Sequence, residues 1–210
     1  MTAYTLLNNE RIVVGPRDWN PAYFQHFLFQ DFNIDFQLSE SPIIEPIIFN
    51  DNLKLVPTSF AENPQIDPNF EVIAGPRFSY DENGNHIASY YAKELPLDDI
   101  KSNLLSSVSN NRYVKETTPI TRDINGKSLT LYTNRELRSS YSQTLILAPD
   151  EYSSQWKFPE GFISIDKSDL QQIVLEINNH IQSCFDWEAS KTIEINSVTT
   201  SEELRNIILE

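Results

Sequence analysis

Two hydrophobic periods divide the chain. From the start to about residue 93, apolar residues fall in short runs separated by asparagine, glycine and proline, the pattern of strands joined by turns. "YTLLNNERIVV" sets two such runs around Asn8-Asn9, and "PIIFNDNLKLV" repeats the form around Asn50 to Asn52. "FEVIAGPRFSYDENGNHIASYY" predicts a hairpin turning at Asn83-Gly84, a pair that tolerates the positive φ angles of a tight primed turn. One helix interrupts the strands. In "DWNPAYFQHFLFQDF" Asn20 fits the N-cap, Pro21 stands at the first helical position where its missing N–H costs nothing, and Phe24, Phe27 and Leu28 share a face. Phe32, Ile34, Phe36 and Leu38 then alternate with polar residues, which predicts a half-buried strand. Prolines 42, 46, 57, 64, 68 and 76 restrict the following stretch to extended pieces and surface loops.

From residue 94 the period becomes helical. Asp98 is placed to cap a helix with an apolar stripe of Ile100, Leu104, Leu105 and Val108. In "TRDINGKSLTLYTNRELRSSY", Ile120, Ile124, Leu129 and Leu131 flank Asn125-Gly126 as a hairpin, and Asn134 caps a helix carrying Leu137, Tyr141, Leu145 and Ala148. "WKFPEGFISID" predicts a strand pair around Pro159 to Gly161. Asp166 then opens the longest helix, about residues 167 to 190, with Leu170, Ile173, Val174, Ile177, Ile181 and Cys184 on one face. Thr200 and Glu203 form a capping box before Leu204, Ile207 and Ile208. The expected fold class is α+β: a β-rich domain with one helix over residues 1–93, and a domain with a β-hairpin and several amphipathic helices over residues 94–210.

Charge and composition narrow the function. Thirty acidic against sixteen basic residues give −14, which repels phosphate backbones and argues against nucleic acid as a partner. The longest apolar runs fall far short of a membrane span, so no membrane insertion is expected. Five glycines in 210 residues leave little room for phosphate-cradling loops, and no cofactor is expected. A lone cysteine, Cys184, offers no disulfide framework, and the first residues lack the basic and apolar regions of a secretory signal. Both point to folding in a reducing cytoplasm.

The candidate chemistry is thin. His180 and Cys184 stand four apart on the long helix, the spacing of two zinc ligands on one face or of a base beside a thiol. The other histidines, His26 and His86, lie in the first part, and an apolar helix face disfavours a thiolate. The bland reading is a buried cysteine beside a half-exposed histidine. Asp98-Asp99, Asp150-Glu151 and Glu202-Glu203 are paired carboxylates, but each sits at a helix start or a turn, where capping and the helix dipole account for most of them. Arg135, Glu136 and Arg138 could form an anion site or a solvated, salt-bridged face, and the second is the commoner arrangement. Trp156, Phe158 and Phe162 are either strand core or an exposed anchor for a partner.

The order of features in the second part carries a resemblance. "LPLDDIKSNLLSSVSNNRYVKET" with Arg112 and Glu116 leads into "INGKSLTLYTNRELRSSY", then "WKFPEGFISI", "LQQIVLEINNHIQSCFDWE" and "TTSEELRNI". Over residues 95 to 210 this succession resembles an uncharacterised domain that recurs in bacteriophage tail proteins, among them tail-fibre proteins and their assembly factors. The resemblance implies a noncatalytic protein of the virion tail, made in the host cytoplasm, that binds a tail-fibre or baseplate protein as an assembly chaperone or attached component. A bare fibre shaft would show more glycine turns and less acidity, so a globular cap, connector or chaperone fits better. The alternatives are a structural linker of the fibre or baseplate acting by self-association and, more remotely, an enzyme on host-surface polysaccharide. For a binding protein, the expected contact residues are the large aromatics Tyr141, Trp156, Phe158 and Trp187.

Overall fold

The computed structural model describes residues 2–209. They form two units, Met1–Glu94 and Leu95–Glu210, each around its own apolar cluster. The fold is α+β.

In the first unit, β1 (Thr2–Asn8) and β2 (Arg11–Arg17) turn at Asn9-Glu10, both at positive φ (50° and 62°), one residue later than the expected Asn8-Asn9. Helix α1 (Pro21–Phe32) starts as its sequence requires, with the Asn20 side chain accepting from the Tyr23 amide at 3.0 Å. The remaining strands are β3 (Ile47–Ile48), β4 (Leu53–Phe60), β5 (Glu71–Tyr80) and β6 (His86–Glu94). The sheet runs β2-β1-β4-β6-β5, with β3 also on β4; β4 and β6 pair in parallel and the other neighbours antiparallel. Phe24 and Leu28 of α1 pack on Tyr4, Leu6, Val14, Leu53 and Leu55.

Two expectations change here. Residues 33–38 form no strand: Asn33 in the left-handed region (φ 52°) ends α1, and the Ile34 amide closes back on the Leu28 carbonyl at 2.9 Å. Ile34 and Leu38 still bury against the core, so the alternation reports one-sided burial without a ladder partner. The loop at Asn83-Gly84 is not a two-residue turn either. The Asp81 carboxylate accepts from the amides of Asn83 (2.9 Å) and Asn85 (2.7 Å), organising residues 81–85, and of the pair only Gly84 takes positive φ.

The second unit opens with α2 (Leu97–Thr117). Its N-cap position is Pro96, so Asp98 is not the cap; Asp98 and Asp99 lie in the first turn, where carboxylates complement the helix dipole. The hairpin of β7 (Ile120–Ile124) and β8 (Lys127–Leu131) turns at Asn125-Gly126, both at positive φ (51° and 82°). Helix α3 (Arg135–Leu147) is capped by Asn134, which accepts from the Leu137 amide at 2.9 Å. Strands β9 (Ser153–Phe158) and β10 (Gly161–Asp166) form a second ribbon. Helix α4 (Lys167–Ser197) runs seven residues past its expected end, and α5 (Ser201–Arg205) follows its Thr200 cap. Both ribbons pack their inner faces, Ile124, Leu129, Leu131, Phe158 and Ile165, against Leu170, Ile173 and Ile177 of α4. No helix among the described residues is long and apolar enough to cross a membrane.

One buried carboxylate ties the β7–β8 hairpin to α4. Asp169 completes the capping box with Asp166, accepts from Asn125 Nδ2 at 2.9 Å and pairs with Lys127, which also donates to the Ser164 carbonyl at 3.0 Å. Burial alone would raise the Asp169 pKa, but the Lys127 ammonium, the Asn125 amide and the Asp166 backbone together hold it below the ordinary carboxylate range. Its folded value is therefore depressed. The stability it contributes is full above the unfolded value of about 3.9 and is lost as pH falls through the lower folded value. Asp169→Asn should lower the neutral-pH urea midpoint and flatten its acid limb below about pH 4. An acid limb as steep in the variant as in the wild type would remove Asp169 as its source.

Candidate contact site of the second unit

Sequence placed four aromatics in a contact role, and the fold separates them. Tyr141 and Phe158 are each 3% exposed and lie in the central cluster. Trp156 packs against that cluster, stacked on Tyr141 with centroids 5.0 Å apart, and its indole N–H donates to the Tyr152 hydroxyl at 2.9 Å. Tyr141 and Phe158 are therefore core residues, and Trp156 is half-buried at the edge of that core. The β9–β10 ribbon turns the face shared by Trp156 and Phe158 inward, which leaves Phe162, on the opposite face, exposed.

Trp187 is placed differently. It lines a cleft of about 430 Å³ together with Val114, Lys115, Thr118, Ile120, His180, Ser183 and Cys184. Helical spacing puts His180, Ser183, Cys184 and Trp187 on one stripe of α4. Helix α2 packs beside this stripe but ends at Thr117, and its last turn is closed by the Thr117 and Thr118 hydroxyls donating to the Tyr113 (2.8 Å) and Val114 (2.7 Å) carbonyls. The chain then leaves toward Ile120 in β7. The stripe faces the cleft across from Val114, Lys115, Thr118 and Ile120.

The polar groups of the cleft are mostly engaged. His180 Nε2 lies 3.0 Å from the Lys115 carbonyl and 3.8 Å from Cys184 Sγ. Donation to that carbonyl places the proton on Nε2, so this nitrogen has no lone pair to take a thiol proton. Burial, helped by the Glu116 carboxylate, pushes the Cys184 thiol pKa up, the reverse of what a nucleophile needs. Among the described residues no group of three His, Cys, Asp or Glu side chains is placed to hold a metal ion. The Lys115 ammonium rests 3.8 Å from the centre of the Trp187 ring, a cation–π contact, and makes no ion pair among the described residues. The lining carries no carboxylate.

Behind the cleft sits a clamp of charged residues. Glu116 on α2 takes Arg112 of its own helix and Arg138 of α3 (3.1 Å), while Arg112 also reaches Glu188 of α4 at 3.0 Å and lies over the Phe185 ring. Arg138 is thus a helix-to-helix tie, and Arg135 and Glu136 stay exposed on the outer face. The paired carboxylates have structural places as well: Asp150 pairs with Lys167 at 2.8 Å, and Glu203 closes the Thr200 cap.

Residues 99–208 match the family described as "Domain of unknown function (DUF4376)". The chain belongs to this family. The match takes in both ribbons, the clamp and the whole cleft, and the family description assigns no function. No curated protein and no solved structure matches the chain.

Proposed function

We propose that this DUF4376 protein is a noncatalytic bacteriophage tail protein that binds a tail-fibre or baseplate protein, as an assembly chaperone or as an attached component of the virion. The observation that supports grip over chemistry is the cleft at Trp187. It is lined by Val114, Ile120 and Trp187, and its one Cys/His pair is arranged against reactivity. The tail setting rests on the resemblance of residues 95 to 210 to domains of phage tail chains. A net charge of −14 suits encounter with a basic patch and discourages aggregation during assembly in the host cytoplasm.

The test is to tag the chain, express it during infection by the phage that encodes it, and identify what co-purifies. A fibre or baseplate protein recovered from lysate alone is the result for a chaperone, and recovery from purified particles as well is the result for a virion component. Absence of any tail protein from both fractions would sink the reading.

A further inference from the structure

The first unit holds an imidazole in a chain of buried hydroxyls, at the narrowest junction of its sheet. The strand order β2-β1-β4-β6-β5 joins the β5–β6 hairpin to the other strands through β4 alone. That junction is a parallel ladder of three residue pairs, beginning with Thr58 and His86, and the Ala61 amide extends it by donating to the Ala88 carbonyl at 2.9 Å. No residue of β5 or β6 belongs to the apolar cluster that α1 forms with β1, β2 and β4. His86 is 4% exposed, its Nδ1 lies 2.8 Å from the Thr58 hydroxyl, and that hydroxyl lies 2.7 Å from the Thr5 hydroxyl of β1. Thr5 and Thr58 are buried, and neither hydroxyl has another partner among the described residues.

Proton counting fixes the tautomer. With Nδ1 bare, Thr5 donates to Thr58, Thr58 donates to Nδ1, and each hydroxyl proton has an acceptor. With a proton on Nδ1, one of the two hydroxyl protons is left in the interior without an acceptor, which buried polar groups seldom bear. The interior therefore accepts neutral His86 with its proton on Nε2, and a second proton breaks the chain. The charged and titratable groups facing the ring do not compensate. The Glu10 carboxylate of the β1–β2 turn is taken by Lys54 of β4 at 2.6 Å and by the Tyr80 hydroxyl of β5 at 2.8 Å, and it makes no hydrogen bond to the imidazole. Tyr80 itself meets His86 ring to ring, with centroids 5.3 Å apart.

We propose that His86 is an acid-sensitive latch: neutral, it holds the β5–β6 hairpin on β4, and protonated, it releases the hairpin while β1, β2, β4 and α1 stay packed. Burial first, then the Lys54 ammonium, hold the imidazole below its ordinary value of about 6.5, against a smaller opposing pull from Glu10. In the released hairpin the imidazole is solvated and regains that value. Attachment is therefore full above about pH 6.5 and weakens as pH falls from there to the lower folded value. Glu10 is held below the usual carboxylate range by Lys54 and Tyr80, so its tie to the hairpin fails only at lower pH. This inference does not depend on the tail reading.

The experiment is residue-resolved hydrogen exchange on the full chain at about pH 7.5 and about pH 5.5, corrected for the intrinsic pH dependence of exchange. The Ala61 amide reports the junction, and the amides of β1, which pairs with β4 over Thr2–Asn8, report the rest of the sheet. The opening constant at Ala61 should rise several-fold at the lower pH, with about tenfold as the ceiling for one linked proton, and β1 should not change. In His86→Phe, whose ring can keep the stack on Phe78 and Tyr80, the rise at Ala61 should vanish. Should that variant not fold, imidazole nitrogen–proton correlation spectra of the wild type still decide, and should show His86 as the Nε2–H tautomer that titrates below 6.5. A proton on Nδ1 at neutral pH, an unchanged Ala61 opening constant, the same rise in His86→Phe, or β1 opening in step with Ala61 would each overturn the inference, the last by showing that acid unfolds the unit as a whole.

Discussion

Replacing Glu116 with alanine should lower the unfolding free energy of the second unit by about 3 kcal/mol. Its side chain is only 9% exposed, and it is the one carboxylate shared by Arg112 and Arg138. Removing it leaves Arg112 with Glu188 but strands the Arg138 guanidinium between α2 and α3 with no counter-charge. The cost is therefore that of an uncompensated, partly buried cation, not of a lost attraction alone. Urea unfolding of Glu116→Ala, Arg138→Ala and the double variant measures this, and the coupling energy should be a large fraction of the single losses. Glu194→Ala is the control. Its partner Lys191 lies at 2.8 Å, but the Glu194 side chain is 45% exposed, and such pairs contribute less than about 0.5 kcal/mol. Equal effects from Glu116→Ala and Glu194→Ala would mean that the clamp is solvated in spite of its geometry.

That clamp also marks where sequence stops being sufficient. Arg112 and Glu116 are four apart on a helix, and their pairing could be read from spacing. Arg138 enters only because α2 and α3 both pack on α4, a fact of tertiary layering. The same limit governs the aromatics. Period two puts Trp156 and Phe158 on one face of β9 and Phe162 on the other, yet an isolated two-stranded ribbon has two equivalent faces until a helix covers one. Trp187 was legible as a residue on the stripe of Ile177 and Cys184. What could not be read is that Val114, Lys115, Thr118 and Ile120 stand across from this stripe and leave an open cleft beside it. Local chemistry was legible where one side chain settles it, as at Asn20, Asn134, Thr200 and Asn125-Gly126. It failed where two candidates compete: Asp81 takes the amides that would otherwise set the Asn83-Gly84 turn, and the start of α2 at Leu97 leaves Asp98 inside the first turn.

Gly15→Ala should cost the first unit about 4 kcal/mol, a large share of the stability of a unit this size. Gly15 lies in β2 at φ +113°, and an added Cβ would stand 2.5 Å from the Tyr4 carbonyl oxygen and 2.9 Å from the Thr5 Cα. Both are backbone atoms of the paired strand. They cannot withdraw without breaking the β1–β2 ladder at the point where its register shifts between Tyr4 and Leu6. Gly75 repeats the Gly-Pro-Arg sequence in β5, also beside a register shift, at φ +120°, but its nearest atoms are 3.2 Å away. Gly75→Ala should therefore cost less. Gly84 has positive φ and nothing within 4 Å of a Cβ, so Gly84→Ala isolates the backbone penalty, about 1 kcal/mol. The expected order of loss in urea unfolding is Gly15, then Gly75, then Gly84, with the transition of the second unit unmoved in all three. If Gly84→Ala cost as much as Gly15→Ala, the left-handed backbone alone would account for these glycines. The close approach of β2 to β1 would then have no part in holding the edge of the sheet.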